Sequence, residues 1–157
     1  MRDAPDAESL IVYTGDVMNK PPMWFWIAAV AALFWAIAGC ASYLVQVSLT
    51  EADLAQLPDA QADMYRMLPA WLDAVFAVAV WSGLAGAIAL LLRRRIARTF
   101  YIVSLAAVIL QFGYVFGATP VLTTIGPSSA AFPAFVIVAG VVLVWFAGLA
   151  RGRGWLR

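Results

Sequence analysis

One stretch, residues 69–98, constrains the fold of this chain more than any other. It reads PAWLDAVFAVAVWSGLAGAIALLLRRRIAR, an apolar segment with a tryptophan near one end and a block of arginines at the other. About 20 apolar helical residues cross a hydrocarbon core about 30 Å thick, and arginine is costly inside that core. The stretch therefore predicts a transmembrane helix whose basic end stays in water. The arginines that set this topology are Arg93, Arg94, Arg95 and Arg98.

Composition extends this interpretation to the whole chain. Of the 157 residues, 64% are hydrophobic and only 12% are charged, whereas a soluble domain carries about 25% charged residues. A net charge of +1 lacks the basic excess of a nucleic-acid-binding protein. His is absent and Cys40 is the single cysteine, which removes imidazole metal ligands and a CxxC site, and the one carboxylate within the spans has no second acid or His to form an acid–base pair. We expect an integral membrane protein that is not an enzyme and holds no metal and no cofactor.

Three more apolar segments predict that the chain crosses the membrane four times. Tryptophans mark the start of the first segment, as is common at membrane interfaces. Short connections between consecutive spans favour antiparallel neighbours. We therefore expect an all-α four-helix up-down bundle over residues 23–157, preceded by a polar N-terminal tail over residues 1–22. The expected spans are residues 23–49, 70–92, 100–118 and 132–149.

The connection between the first two spans is long, acidic and predicted to be partly helical. Thr50 is followed three residues later by Asp53, the spacing of a capping box, in which each side chain bonds the other residue's backbone N–H. Pro58 and Asp59 indicate the start of a second helix that continues to about Met67. We expect two short helices that lie on the membrane surface in this first outer loop.

The basic residues divide unequally between the two sides of the predicted bundle. Nine of the ten fall on the side of the arginine block and the two termini, and only Arg66 falls on the other. By the positive-inside rule, the side rich in Lys and Arg is cytoplasmic. We therefore expect both termini to lie inside the cell and the acidic loop to lie outside.

Small residues recur in two spans at spacings that suit close helix contact. In the first span they occupy every fourth position, and in the second a serine and a glycine are one turn apart. Small side chains let two helix backbones approach closely within a membrane. We expect these faces to contact other helices rather than lipid. The residues are Ala28, Ala32, Ala36 and Cys40 in the first span, and Ser82 and Gly86, with Gly83 and Ala87, in the second.

Polar residues within the spans gather at one depth, near the predicted outer ends. A carboxylate there is accessible to water, and in the first turns of a helix it also lies near the positive end of the helix dipole. Three roles are open for this cluster: hydrogen bonding between helices, a ligand or cation site that faces outward, or a simple interfacial anchor. The candidate residues are Asp73, Gln46, Gln111, Tyr114, Tyr43 and Trp71.

Several short pieces of the sequence resemble a known group of proteins. They are Trp24-Phe25-Trp26-Ile27, Tyr43 with Gln46, Pro69-Ala70-Trp71, Gly126-Pro127 and the closing Arg153-Gly154-Trp155-Leu156. Together they resemble small bacterial four-helix inner-membrane proteins that are often loosely labelled "sugar transporter", and the resemblance covers residues 18–157. It implies a multi-pass protein of the bacterial inner membrane. None of these pieces is a catalytic motif.

Two classes of function agree with these features. The first is a non-enzymatic accessory or structural subunit whose partners are membrane lipids and either other membrane subunits or a second copy of itself. The alternative is a transporter of small, sugar-like solutes, with Asp73, Gln111, Tyr114 and Trp71 as its binding groups. Because four helices are too few to enclose a path alone, transport requires an oligomer. We expect the accessory subunit first.

Overall fold

The described part of the chain is built from helices and the connections between them. The computed structural model describes residues 20–119 and 126–157, so most of the expected N-terminal tail lies outside the described residues. A single 3₁₀ turn, Pro127–Ala130, leads into the last helix. The helices are α1 (Met23–Val47), α2 (Glu51–Leu54), α3 (Asp59–Met67), α4 (Trp71–Leu91), α5 (Ala97–Ala118) and α6 (Ala131–Gly152).

Four of these helices, α1, α4, α5 and α6, are long and apolar enough to cross a membrane. This confirms the expected number of span-length helices. Their limits differ from the prediction by two or three residues: α1 ends at Val47, α5 begins at Ala97 and α6 extends to Gly152. For α5 and α6 the prediction followed hydropathy, which falls at the first charged residue, whereas a helix satisfies its own backbone and can continue into water.

The two short helices are also present, and the capping box is confirmed. Thr50 Oγ1 accepts a hydrogen bond from the Asp53 backbone N–H at 3.3 Å, and the Asp53 carboxylate accepts one from the Thr50 N–H at 2.9 Å. Hydrogen bonds from the Thr50 hydroxyl and then from its backbone hold the pKa of Asp53 below its ordinary value. Arg66 on α3 pairs with Glu51 on α2 at 3.1 Å. Both side chains are exposed, so this ion pair stabilises the loop only weakly.

The long helices pack in chain order, with α1 against α4, α4 against α5, and α5 against α6. Glycines lie where a side chain of the neighbouring helix comes near the backbone. A Cβ on Gly86 of α4 would lie 3.1 Å from ring atoms of Tyr101 on α5, and one on Gly140 of α6 would lie 2.9 Å from Leu105 Cδ1. The first and last helices meet through larger side chains, including Trp35 and Phe135, whose ring centroids are 5.5 Å apart.

The small residues predicted to form one face of α1 are buried or half-buried. Ala32, Ala36 and Cys40 are buried, Ala28 is half-buried and packs against the core cluster, and the neighbouring Ala29 is fully buried. The buried face therefore mixes steps of three and four residues, as a helix with 3.6 residues per turn requires. A face that repeats strictly every four residues rotates gradually away from the partner helix, because four residues advance about 40° more than one turn.

The small residues of α4 differ in what they contact. Gly86 is buried against α5, whereas Ser82 is half-buried and its hydroxyl donates to the Ala79 carbonyl of its own helix at 3.2 Å. At that level the close neighbour of α5 is Gly83, where an added Cβ would lie 3.2 Å from Ser104 Oγ. Ser104 in turn donates to the Ala79 carbonyl at 2.7 Å, which joins α5 to α4.

The largest buried side chains gather where the arginine block lies, which we call the arginine end. One core cluster contains Phe25 of α1, Leu90 of α4, Phe146 of α6, and Trp155 and Leu156 from the C-terminal segment. Trp155 is 5% exposed and Leu156 is 2% exposed. The centroid of the Trp155 ring lies 5.7 Å from that of Phe25. The last residues of the chain are therefore part of the core.

The connection between α4 and α5 holds this C-terminal segment in place. Arg93 adopts a left-handed conformation with φ of 58°, and its Nε donates to the Trp155 carbonyl at 2.7 Å. The Arg95 backbone N–H donates to the Arg157 carbonyl at 2.9 Å, and the Arg157 N–H donates back to the Arg93 carbonyl. Arg93 was expected only to set topology, and it also binds the end of the chain.

Candidate functional site

A small cavity lies at the opposite end of the bundle, which we call the Asp73 end. It has a volume of about 140 Å³ and is lined by side chains from α1, α4 and the connection between them. The short helices α2 and α3 bring Leu54 and Tyr65 over it, beside the polar groups at the ends of the long helices. The lining residues are Gln46, Leu49, Leu54, Tyr65, Leu68 and Asp73.

Two of the predicted polar residues meet directly in this cavity. Gln46 lies near the last turn of α1 and Asp73 in the first turn of α4, and Gln46 Nε2 donates to Asp73 Oδ1 at 3.1 Å. Hydrogen bonds to a charged acceptor contribute about 1.5–3 kcal/mol, more than neutral ones. The first turn of α4 also favours a carboxylate, because the positive end of the helix dipole lies there. Asp73 therefore joins α4 to α1.

The predicted aromatic residues of the cluster form two separate pairs. Tyr43 of α1 packs edge-on against Phe76 of α4, with ring centroids 5.5 Å apart. Trp71 of α4 packs edge-on against Tyr114 of α5, with centroids 5.0 Å apart. Each pair supports one of the two helix contacts made by the start of α4. Such pairs contribute about 0.5–1.5 kcal/mol beyond their buried area.

Gln111 does not join the polar pair in the described structure. It is half-buried on α5, one turn before Tyr114, and within residues 20–119 and 126–157 no hydrogen bond links it to Asp73 or Gln46. The predicted cluster therefore divides into an α1–α4 part around Asp73 and an α4–α5 part around Trp71.

The chemistry available to this site is limited by its size and its ligands. Pockets that bind small organic molecules usually have volumes of about 300–1,000 Å³, so the cavity at about 140 Å³ is too small for a sugar in this conformation. Within the described ranges, no three His, Cys, Asp or Glu side chains come close enough to hold a metal ion. The site therefore has the geometry of a hydrogen-bonded helix contact.

A second surface, which the sequence reasoning missed, lies on α5 near the same end. Gly113 and Gly117 are exposed, and among the described residues nothing lies within 4 Å of a Cβ built at either position. They form a Gly-x-x-x-Gly pattern, which brings both glycines to one helix face and lets another helix approach closely. We call this surface the glycine face. The pattern is readable in the sequence, beside the polar residues Gln111 and Tyr114.

The role of Asp73 can be tested by two substitutions that differ in hydrogen-bonding capacity. Asp73→Asn keeps an acceptor for Gln46 Nε2 but loses the charge, so it should lower the midpoint of thermal unfolding in mild detergent less than Asp73→Leu does. Asp73→Leu removes the acceptor and leaves the Gln46 amide unpaired, which should lower the free energy of unfolding by about 1–2 kcal/mol. Equal stability of Asp73→Leu and the parent chain would contradict a structural role for this hydrogen bond.

Comparisons with protein-family models, with curated proteins and with solved structures find no match to this chain. The functional inference therefore begins from two features of the molecule itself. One is the hydrogen-bonded cavity at the Asp73 end, and the other is the glycine face of α5.

Proposed function

We propose that the chain is a multi-pass protein of the bacterial inner membrane, threaded as an up-down bundle with both termini in the cytoplasm. The unequal division of basic residues supports this orientation, since seven arginines occur in residues 93–98 and 151–157. The contacts agree with it. Gln46 near the end of α1 bonds Asp73 near the start of α4, while Trp24 near the start of α1 contacts Trp155 after α6 at a centroid distance of 5.3 Å.

This orientation predicts a clear result for reporter fusions. Alkaline phosphatase folds and is active only outside the cytoplasm. A fusion after Asp59, in the acidic loop, should therefore be active, and a fusion after Ile96, in the arginine block, should be inactive. Both fusion proteins must be present at similar levels, as measured by immunoblot. The opposite pattern of activity would contradict the proposed threading.

We infer further that the protein is a non-enzymatic accessory subunit of a larger membrane assembly. The glycine face of α5 is the observation that carries this proposal. Glycine inside a helix is unfavourable in water relative to alanine by about 0.5–1 kcal/mol, and Gly113 and Gly117 have no compensating contact among the described residues. A transmembrane helix of another subunit packed against this face would supply that contact.

The features of the bundle support transport less well. Substrate sites of many transporters lie near the middle of the membrane, where either side can reach them. Here the polar cavity of about 140 Å³ lies at the Asp73 end, while the arginine end is filled by the cluster around Phe25, Phe146 and Trp155. Transport of a small, sugar-like solute by an oligomer is the alternative, and the exposed Trp71 beside Tyr114 is the feature that favours it.

Purification of the full, tagged chain in mild detergent tests this proposal. We expect it to elute with a different membrane protein at a fixed ratio, measured by mass spectrometry of the intact complex. Replacing both glycines of the face, Gly113→Ile with Gly117→Ile, should release the chain from that complex. The matched control, Ala31→Ile with Ala38→Ile, adds bulk to two exposed positions of α1 and should leave the complex intact.

Other results of this purification would favour transport or contradict a role for the glycine face. An oligomer of this chain alone, disrupted by the glycine substitutions, would favour the transport alternative over the accessory subunit. A monomer, or a complex that survives the glycine substitutions and the alanine substitutions equally, would contradict a role for the glycine face.

A further inference from the structure

A second cavity opens on the outer surface of the bundle, between α5 and α6 at the arginine end. It is a groove of about 410 Å³, much larger than the cavity at Asp73. The side chains that line it come from residues 98–105 of α5 and 141–149 of α6. At a rise of 1.5 Å per residue, the groove therefore runs for about 10–12 Å along the two helices. The groove is lined by Arg98, Leu105, Val141, Val144, Trp145, Gly148 and Leu149.

The groove has one charged group, and that group is at one end. Arg98 is the second residue of α5, while the other lining residues are apolar. Position 148 is a glycine, and a Cβ there would lie only 3.6 Å from Arg98 Nε. The guanidinium group therefore lies beside the bare backbone of α6, at the opening of an apolar channel that runs toward the middle of the bundle.

The surroundings of Arg98 favour an anion as its partner. Every carboxylate side chain of the described residues lies between Glu51 and Asp73, and both of the ion pairs found there involve Arg66. The described charged side chains at the arginine end are basic, namely Lys20 and the arginines of residues 93–98 and 151–157. The start of α5 adds the positive end of its helix dipole to the same place.

We propose that this groove binds an anionic phospholipid, with the phosphate on Arg98 and an acyl chain along Leu105, Val144 and Trp145. A phosphate matches the guanidinium in charge and geometry. An acyl chain matches the apolar length of the groove and its position on a membrane-facing surface. Basic pockets between transmembrane helices at the cytoplasmic side are suited to anionic lipid headgroups. This proposal does not depend on the accessory function, since it concerns a different face of α5.

Lipid retention by the full chain in mild detergent tests this site. Delipidated protein is incubated with phosphatidylglycerol or with phosphatidylethanolamine of the same acyl chains, and the lipids that stay bound are counted by native mass spectrometry. We expect one phosphatidylglycerol to be retained in preference to phosphatidylethanolamine. Arg98→Gln should reduce its retention by about fivefold, the effect of one arginine near an anionic lipid surface.

Two further variants separate the groove from general surface charge. Arg94→Gln removes the same charge from an exposed position that does not line the groove, and should leave retention within about twofold of the parent chain. Gly148→Leu keeps every charge and fills the groove, and it should also lower phosphatidylglycerol retention. The melting temperature of each variant, measured without added lipid, shows that the bundle is intact.

Three outcomes would overturn the proposal. They are equal retention of the two lipids, equal effects of Arg94→Gln and Arg98→Gln, and normal retention by a folded Gly148→Leu chain. Displacement of the lipid by a second copy of the chain, seen as a dimer in the mass spectrum, would show that the groove is a protein contact instead.

Discussion

Gly86→Leu is expected to destabilise the bundle strongly, because it places a side chain where α4 packs tightly against α5. Even the first added atom, Cβ, would lie 3.1 Å from two ring atoms of Tyr101 and 3.3 Å from Phe100 Cβ. Tyr101 is 3% exposed and has little room to move. Overpacking of this kind costs about 1–3 kcal/mol, and a full leucine should reach the upper part of that range. Thermal unfolding in mild detergent, followed by far-UV circular dichroism, measures the loss.

Gly152→Leu is the matched control for this substitution. Gly152 is exposed at the end of α6, and among the described residues nothing lies within 4 Å of a Cβ built there. Both variants gain the same side chain and lose a flexible glycine, so the difference between them reports the packing of α4 on α5. Equal unfolding temperatures of the Gly86→Leu and Gly152→Leu chains would contradict the close packing of α4 on α5 at Gly86.

The level of a residue along the bundle could be predicted from the sequence. The direction in which each face of a helix points could not. Counting residues from the ends of the spans put Gln46 and Asp73 at the same level, and the structure joins them at 3.1 Å. The same counting put Gln111 at that level, yet Gln111 makes no hydrogen bond to either residue within the described ranges. Hydropathy in a membrane helix is high on all faces, so it does not reveal which face of α5 turns toward α4.

The same limit applies along α1 and α4. A small residue every fourth position is easily seen in the sequence, but the sequence does not reveal that Ala29 is fully buried and Ala28 only half-buried. Gly83 and Gly86, three residues apart, approach α5, and Ser82 bonds its own helix. Contact faces alternate between steps of three and four, and choosing between adjacent small residues requires the position of the partner helix.

The C-terminal segment shows a different limit, since its role depends on residues far away in the chain. Arg93 and Trp155 are 62 positions apart, and their hydrogen bond of 2.7 Å exists only because α6 returns to the arginine end. The sequence RGRGWLR gives no periodic signal, and it follows the last span, where a tail in water is the ordinary expectation. Glycine at position 154, with φ of 71°, permits the turn that directs Trp155 back into the core.

Trp155→Ala should therefore cause a large loss of stability although Trp155 lies two residues from the end of the sequence. The indole is 5% exposed and contacts Phe25 and Trp24 of α1 at centroid distances of 5.7 and 5.3 Å. Truncation of a buried tryptophan costs about 3–5 kcal/mol, here by opening a space among α1, α4 and α6. Trp145→Ala, which removes an indole that is 65% exposed, is the control and should change thermal unfolding much less.

A second measurement on the same variant separates loss of packing from loss of the whole fold. A protease site added after Arg157 should be cut slowly in the parent chain, because Arg93 and Arg95 bind the backbone of the last residues. In Trp155→Ala that segment should detach first, so cleavage should accelerate at temperatures below the unfolding transition. Trp155→Phe keeps an aromatic ring against Phe25 and should restore slow cleavage in part. Rapid cleavage of the parent chain would mean that the C-terminal segment is not held by the core, and the large effect of Trp155→Ala would then have no basis.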